Sequence, residues 1–109
     1  MTFTELDDIV AETGRRALAS RMIVVLLDAL DQGDEGIELD RFENDSGYVR
    51  TNIRTVAQLL RNKGVIDVFY YREAAGKEMR AYTSESTAGR WAKQHYRLTS
   101  AVRKLYRRD

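Results

Sequence analysis

The sequence predicts a mainly α-helical fold with one β-hairpin, in a single domain over residues 1–109. Apolar residues recur at intervals of three and four over residues 15–31 and about 47–63, which is the spacing of amphipathic helices. After Gly64 the apolar period changes to two, which is the spacing of strands. Helices first and a hairpin after them define the predicted fold class.

Two helices are predicted in the first 31 residues. Residues 4–13 form a short acidic helix, with Thr4 as its N-cap and Gly14 after its end. A turn rich in glycine and acidic residues lies at 32–36. Between them, residues 15–31 form a helix with a wide buried face, because its apolar positions recur in threes and fours: Leu18, Met22, Val25, Leu26, Ala29 and Leu30.

Two further helices precede the hairpin. Leu39 and Phe42 anchor a helix of two turns that closes near Ser46 and Gly47. A longer helix then covers about residues 47–63, and Gly64 stands where a left-handed C-terminal cap belongs. The apolar positions of this helix are separated by four, three and four residues: Val49, Ile53, Val56 and Leu60.

The hairpin is predicted over residues 65–83. Residues 65–72 are rich in β-branched and aromatic side chains, residues 74–77 can turn the chain, and residues 78–83 return it. From about residue 85 to 108 the apolar spacing becomes helical again. We therefore predict a final helix over about 85–108.

Charge divides the chain into two parts of opposite sign. Residues 1–46 carry four basic and twelve acidic side chains, a net charge of −8, whereas residues 47–109 carry fourteen basic and five acidic ones, a net charge of +9. Such asymmetry within one domain indicates a polyanionic partner. No acidic residue occurs between Ser46 and Asp67. The helix of residues 47–63 is therefore predicted to have a basic surface.

The order of helix, turn, short helix, tight turn, helix and hairpin is that of a winged helix-turn-helix domain, which we predict for about residues 15–84. On the helix of residues 47–63, Arg54, Gln58 and Arg61 lie within roughly 80° of Arg50 when each residue advances about 100°. Arginine and glutamine side chains make paired hydrogen bonds to guanine and adenine edges. The pattern predicts a recognition helix for the major groove of DNA.

Two segments resemble a known group of proteins. Residues 53–66 (IRTVAQLLRNKGVI) resemble the recognition helix and first wing strand of winged-helix transcriptional regulators. Residues 81–90 (AYTSESTAGR) are similar to the junction between wing and final helix in PadR-like and MarR-like proteins. The small PadR-like proteins also share this length and a single helix after the wing. The resemblance covers about residues 15–105 and implies a homodimeric DNA-binding regulator of transcription.

The predicted DNA contacts lie on the helix of residues 47–63 and in the wing of residues 65–83. The helix would enter the major groove, most deeply with its N-terminal residues, and the wing would hold the backbone or the minor groove. A solvated, arginine-rich helix face is the alternative interpretation. The candidate contacts are Tyr48, Arg50, Thr51, Asn52, Arg54, Gln58 and Arg61 on the helix, and Arg72, Lys77 and Arg80 in the wing.

The final helix is predicted to pair with the same helix of a second subunit, because its apolar positions are spaced as in a coiled coil. A helix lying across its own domain is the alternative. For His95 a packed or hydrogen-bonded side chain is favoured over a pH sensor or metal ligand, and for Trp91 packing is favoured over a small-molecule pocket. The predicted dimerisation residues are Trp91, His95, Leu98, Val102 and Leu105.

Composition disfavours several other kinds of protein. The absence of cysteine excludes a disulfide or a thiolate zinc site. The acidic turn does not fit an EF-hand, because Phe42 stands where the bidentate glutamate belongs, so no cofactor or metal is expected. One histidine and no paired carboxylates disfavour an enzyme. No apolar run reaches the roughly 20 residues of a membrane span, and the first residues do not resemble a signal peptide, so we expect a cytoplasmic protein.

The sequence is therefore consistent with three functions. The first is a homodimeric, sequence-specific regulator that binds double-stranded DNA. The second is an architectural or plasmid- or chromosome-segregation protein of the same fold, which would coat DNA with a steep salt dependence and little sequence preference. The third is a protein-interaction module that uses the acidic N-terminal half as its binding surface. Failure to bind any duplex at low salt would favour this last alternative.

Overall fold

The computed structural model describes residues 1–73, 79–82 and 84–109. Within these ranges the chain forms a mixed α/β domain with six helices and one four-stranded antiparallel sheet, rather than a mainly α fold. In chain order the elements are α1 (Phe3–Glu12), α2 (Arg16–Asp31), β1 (Ile37–Glu38), α3 (Leu39–Ser46), α4 (Arg50–Asn62), β2 (Ile66–Glu73), β3 (Met79–Tyr82), α5 (Glu85–Ala88), β4 (Lys93–Leu98) and α6 (Ser100–Leu105).

The four helices predicted before Gly64 are confirmed, with small differences at their ends. Helix α1 begins earlier than predicted, because the Thr2 side chain, and not that of Thr4, accepts the backbone N–H of Glu5 at 3.1 Å. Helix α4 begins at Arg50, since Gly47 closes α3 in the left-handed conformation with φ +76°. Gly64 ends α4 in the same conformation, as the sequence predicts.

The core lies between the helices and the inner face of the sheet. Helix α2 runs through it, with Met22 and Leu26 almost fully buried, and both α1 and α4 pack against α2. From the sheet, Ile66 and Tyr96 point into the same cluster. The buried face of α4 therefore holds the helix against α2 while its opposite face stays exposed.

The sheet has the strand order β1-β4-β2-β3. Strands β2 and β3 form the predicted hairpin, with Tyr70 opposite Tyr82; the predicted turn at 74–77 lies outside the described residues. Strand β4 pairs along the other edge of β2, from Ile66 opposite Leu98 to Tyr71 opposite Lys93. Strand β1 completes the sheet on the far side of β4.

The predicted final helix over 85–108 is wrong. This segment forms the short helix α5, the strand β4 and the short helix α6 instead. Gly89, with φ +90°, ends α5 after one turn. Thr99 ends β4, where its N–H donates to Val65 O at 3.1 Å and its hydroxyl donates to Gly64 O at 2.7 Å. The inter-strand hydrogen bonds with β2 satisfy the backbone groups of β4. A continuous helix over this segment would not form these bonds and would leave that edge of β2 unpaired.

The predicted dimerisation seam therefore does not form as one stripe. Leu98 and Val102 are buried in the core of their own domain, and Leu105 is half-buried against it. His95 is half-buried on the outer face of the sheet, where its ring meets the Tyr71 ring edge-to-face with centroids 4.4 Å apart. Trp91 lies in the turn before β4 and is 72% exposed. These residues point in different directions, so they do not build one helix–helix interface.

Gly36 permits the pairing of β1 with β4. A Cβ atom at this position would collide with the backbone carbonyl of Tyr96. Ile37 is consequently able to lie opposite Tyr96 and to bury its side chain. The predicted turn at 32–36 is therefore followed by the edge strand β1, and α3 begins directly after β1.

Candidate nucleic-acid interface

Helix α4 has two sharply different faces. Its buried face consists of Ile53, Val56, Ala57 and Leu60, each at most 1% exposed. Its exposed face carries polar and basic side chains and, because the whole segment from 47 to 66 contains no acidic residue, it has no carboxylate of its own. The exposed residues of this face are Thr51, Arg54, Thr55, Gln58 and Arg61.

Arg50 is held at the N-terminal end of α4 by two acidic residues of α3. Its guanidinium donates to the Asp40 carboxylate and, at 3.3 Å, to Glu43 Oε1. The hydrogen bond from Arg50 lowers the pKa of the Asp40 carboxyl below its ordinary value of 3.8. The carboxylates of α3 therefore neutralise the charge of Arg50. The same hydrogen bonds join α3 to the N-terminal end of α4 and help to set the angle between the two helices.

Arg54 lies one turn further along the same face. Among the described residues it has no carboxylate within ion-pair distance. Gln58 donates to Asn62 Oδ1 at 3.0 Å, and the Thr55 hydroxyl donates to Thr51 O at 2.9 Å. Arg54 therefore has no direct carboxylate partner there, although it also lines a cavity of about 170 Å³ with Glu38, Asp40 and Glu85. The Gln58 amide beside it can exchange its partner.

A groove of about 580 Å³ separates this face of α4 from the sheet. Helix α4 contributes one wall, and Tyr70 of β2 and Gln94 of β4 contribute the other. Of the described residues, none that lines this groove has a carboxylate side chain. The lining residues are Arg50, Thr51, Arg54, Thr55, Gln58, Leu59, Tyr70 and Gln94.

The sheet wall of the groove is held by a short hydrogen-bond network. The Gln94 amide donates to the Tyr70 hydroxyl at 2.8 Å, and the buried Tyr96 hydroxyl donates to the carbonyl oxygen of Gln94. Burial raises the pKa of the Tyr96 hydroxyl, so it stays protonated and remains a donor. Gln94 is therefore held in one orientation at the groove.

The structure brings together only part of the predicted helix site. Thr51, Arg54 and Gln58 share the groove with Arg50, and Arg61 is exposed two turns beyond Arg54. Asn52 is half-buried, and Tyr48 packs partly against the core before α4 begins. These last two side chains are less accessible to a ligand of the exposed face.

The predicted wing residues lie beyond the groove. Arg72 and Arg80 are exposed and stand directly opposite one another on β2 and β3. Lys77 lies outside the described residues. In the turn before β4, Arg90 stacks on the exposed Trp91 ring with its guanidinium carbon 5.0 Å from the ring centroid.

Sequence reasoning missed Thr55, Tyr70 and Gln94. Thr55 could have been found, because it lies between Thr51 and Gln58 on the exposed side of the predicted helix. Tyr70 and Gln94 could not, since they approach α4 only through the pairing of β4 with β2, in which Tyr70 lies opposite Gln94.

Comparison of the chain with protein-family models, with curated proteins and with solved structures found no match. In the parts of the chain that the structure describes, no helix has the length and hydrophobicity needed to cross a membrane. Within those same parts, His, Asp and Glu side chains do not gather in groups of three or more that could hold a metal ion.

Proposed function

We propose that this protein binds double-stranded DNA through the exposed face of α4 and regulates transcription as a winged helix-turn-helix protein. The observation that carries the proposal is Arg54, an exposed arginine without a carboxylate partner among the described residues, on a helix face free of acidic side chains. If this helix face were merely solvated, some of the 17 acidic residues of the chain would be expected between residues 47 and 66.

The dimensions of α4 fit the major groove of DNA. Its 13 residues span about 20 Å, and the groove is about 12 Å wide and admits a helix. Arg54 is suited to donate to guanine O6 and N7, and Gln58 to pair with adenine N6 and N7. The methyl groups of Thr51 and Thr55 are suited to contact thymine methyl groups.

Residues around α4 would bind the phosphates on either side of the groove. Arg61 lies at the C-terminal end of the helix, and Arg72 and Arg80 lie on the hairpin that takes the place of a wing. Phosphate contacts fix the register of a protein on the duplex without reading sequence. Arg50 has a positioning role in this proposal, because its ion pairs with α3 set the direction of α4.

The test is binding of variants to a duplex selected from a random pool. Arg54→Ala and Gln58→Ala should each weaken binding to the selected duplex by about 1–3 kcal/mol and relax the preference for one base pair. Arg15→Ala is the matched control: it removes the same charge from an exposed position before α2, and binding should stay near that of the wild type.

The same measurements separate the alternatives. Equal affinity for selected and bulk DNA, with a steep salt dependence, would favour an architectural or segregation protein. No binding to any duplex at low salt would overturn the proposal and favour a protein-interaction module. Quenching of Trp91, the only tryptophan in the chain, gives an independent readout of binding near β4.

A further inference from the structure

Helix α2 presents an exposed stripe on the side facing away from the core. Placed at about 100° per residue, the stripe spans roughly 100° around the helix. Small side chains, Ala17 and Ser20, occupy its N-terminal half and Val24, which is 50% exposed, its centre. Arg21 and Asp28 lie along one flank of the stripe, both exposed, where they also line a cavity with Arg41 and Asp45 of α3.

The other flank of the stripe carries exposed apolar side chains beside Asp7. Phe3 of α1 is 56% exposed and meets the Tyr106 ring edge-to-face, with centroids 5.2 Å apart. Phe3, Tyr106 and Val24 line one shallow groove of about 190 Å³. A large aromatic ring and a valine left this exposed beside each other are typical of an interaction surface.

The charges on the stripe are complementary to those of a second copy. Among the described residues, neither Arg21 nor Asp28 has an ion-pair partner within 4 Å. If two α2 helices pack antiparallel about a two-fold axis between Val24 and Val25, position 21 of one helix faces position 28 of the other. The symmetry forms this pair twice, about 10 Å apart along the helix.

We infer that the chain forms a homodimer through this face of α2, with the Phe3–Tyr106 pair beside the same pair of the second copy. A symmetric interface must be self-complementary. The stripe meets that condition with Val24 at its centre and opposite charges at equal distances from its midpoint.

The dimer leaves the proposed DNA surface free. Helix α4 packs on the buried side of α2, which is opposite to the stripe. Dimerisation does not depend on the proposed DNA binding and can be measured without DNA. The failure of one proposal is therefore distinguishable from the failure of the other.

The test is a charge exchange, measured by sedimentation equilibrium of the full chain over a dilution series at low salt. Arg21→Asp and Asp28→Arg should each raise the dimer dissociation constant by about tenfold or more, because each places like charges together twice. The double variant, Arg21→Asp with Asp28→Arg, restores opposite charges and should return to within about threefold of the wild type. Arg61→Asp on α4 is the matched control and should leave the constant unchanged.

Two results would overturn the inference. One is a wild-type chain that stays monomeric up to hundreds of micromolar. The other is a dimer whose dissociation constant responds neither to the charge exchanges nor to Val24→Asp, which places a carboxylate at the centre of the stripe. Circular dichroism confirms the fold of each variant, and because Arg21, Val24 and Asp28 are exposed we expect that fold to be retained.

Discussion

Arg50 and Arg54 lie one helical turn apart on α4, both exposed, yet their surroundings give them different properties. Arg50 donates to Asp40 and Glu43, whereas Arg54 has no carboxylate partner in the described part of the chain. A sequence pattern places both residues on one helix face but cannot distinguish them. The distinction comes from α3, whose acidic residues reach one arginine and not the other.

This difference predicts a pH-dependent contribution of Asp40 to stability. Its pKa is lowered in the folded state by the hydrogen bond from Arg50, so its stabilising effect is present above the ordinary value of 3.8 and is lost as the pH falls through the lowered pKa. Asp40→Asn should lower the free energy of unfolding at about pH 6 by less than about 1 kcal/mol, since the pair is exposed.

The measurement is urea unfolding of the wild type and the variant at several pH values. The difference between them should shrink as the pH is lowered through and below 3.8. Asp34→Asn, which removes an exposed carboxylate without an ion pair in the described residues, serves as the control. A difference that stays constant over the whole pH range would show that Asp40 does not act through its charge.

At the scale of elements, α2, α3 and α4 were predictable because each carries a regular apolar period and is followed within two residues by a glycine. Strand β4 was not. From Ala88 to Leu105, residues in and around this strand recur at intervals of three and four, which is the spacing of a helix. This spacing concealed the strand-like alternation of buried Tyr96 and Leu98 with the less buried His95 and Arg97. Gly89 was the one local signal against a continuous helix. The edge partner of β4, the two-residue strand β1, is too short to be predicted from sequence.

The same element predicts what a substitution at Leu98 does. Because Leu98 is 1% exposed on the inner side of β4, Leu98→Ala should lower the free energy of unfolding by about 2–5 kcal/mol. The loss should not depend on protein concentration, since the side chain packs within its own domain. Val49→Ala, at a position that is 62% exposed, should change stability by no more than about 0.5 kcal/mol.

Chemical unfolding at two protein concentrations tests this prediction. A Leu98→Ala variant that keeps its stability but dissociates from dimer to monomer would contradict the position of β4 and favour the predicted helical dimerisation seam instead.

The candidate site, like the fold, was predictable from the sequence only in part. Arg54 and Gln58 were predictable from helical spacing, whereas Tyr70 and Gln94 required the register of β4 on β2.

At the scale of the whole molecule, the net charge of +1 conceals a separation of charge along the chain. The acidic side chains of α1 and α3 belong to the first 46 residues, whereas the exposed face of α4 and strands β2, β3 and β4 belong to the basic remainder. Several acidic residues form ion pairs with basic residues of the second part of the chain, as Asp31 does with Arg108 and Glu12 with Lys63. What is left for a polyanion is a local basic surface on a nearly neutral protein.

Binding through a local basic surface and binding through the overall net charge would respond differently to salt when single charges are removed. If α4 and its surroundings contact phosphates, Arg61→Ala should reduce the slope of log affinity against log salt by about one unit for all duplexes. Asp8→Asn, which removes an exposed negative charge on α1, should leave that slope unchanged even though it makes the protein more positive. Fluorescence anisotropy of a labelled duplex over a series of salt concentrations measures both slopes. Equal and opposite changes in the two variants would contradict a local interface, because binding would then follow the overall charge of the protein.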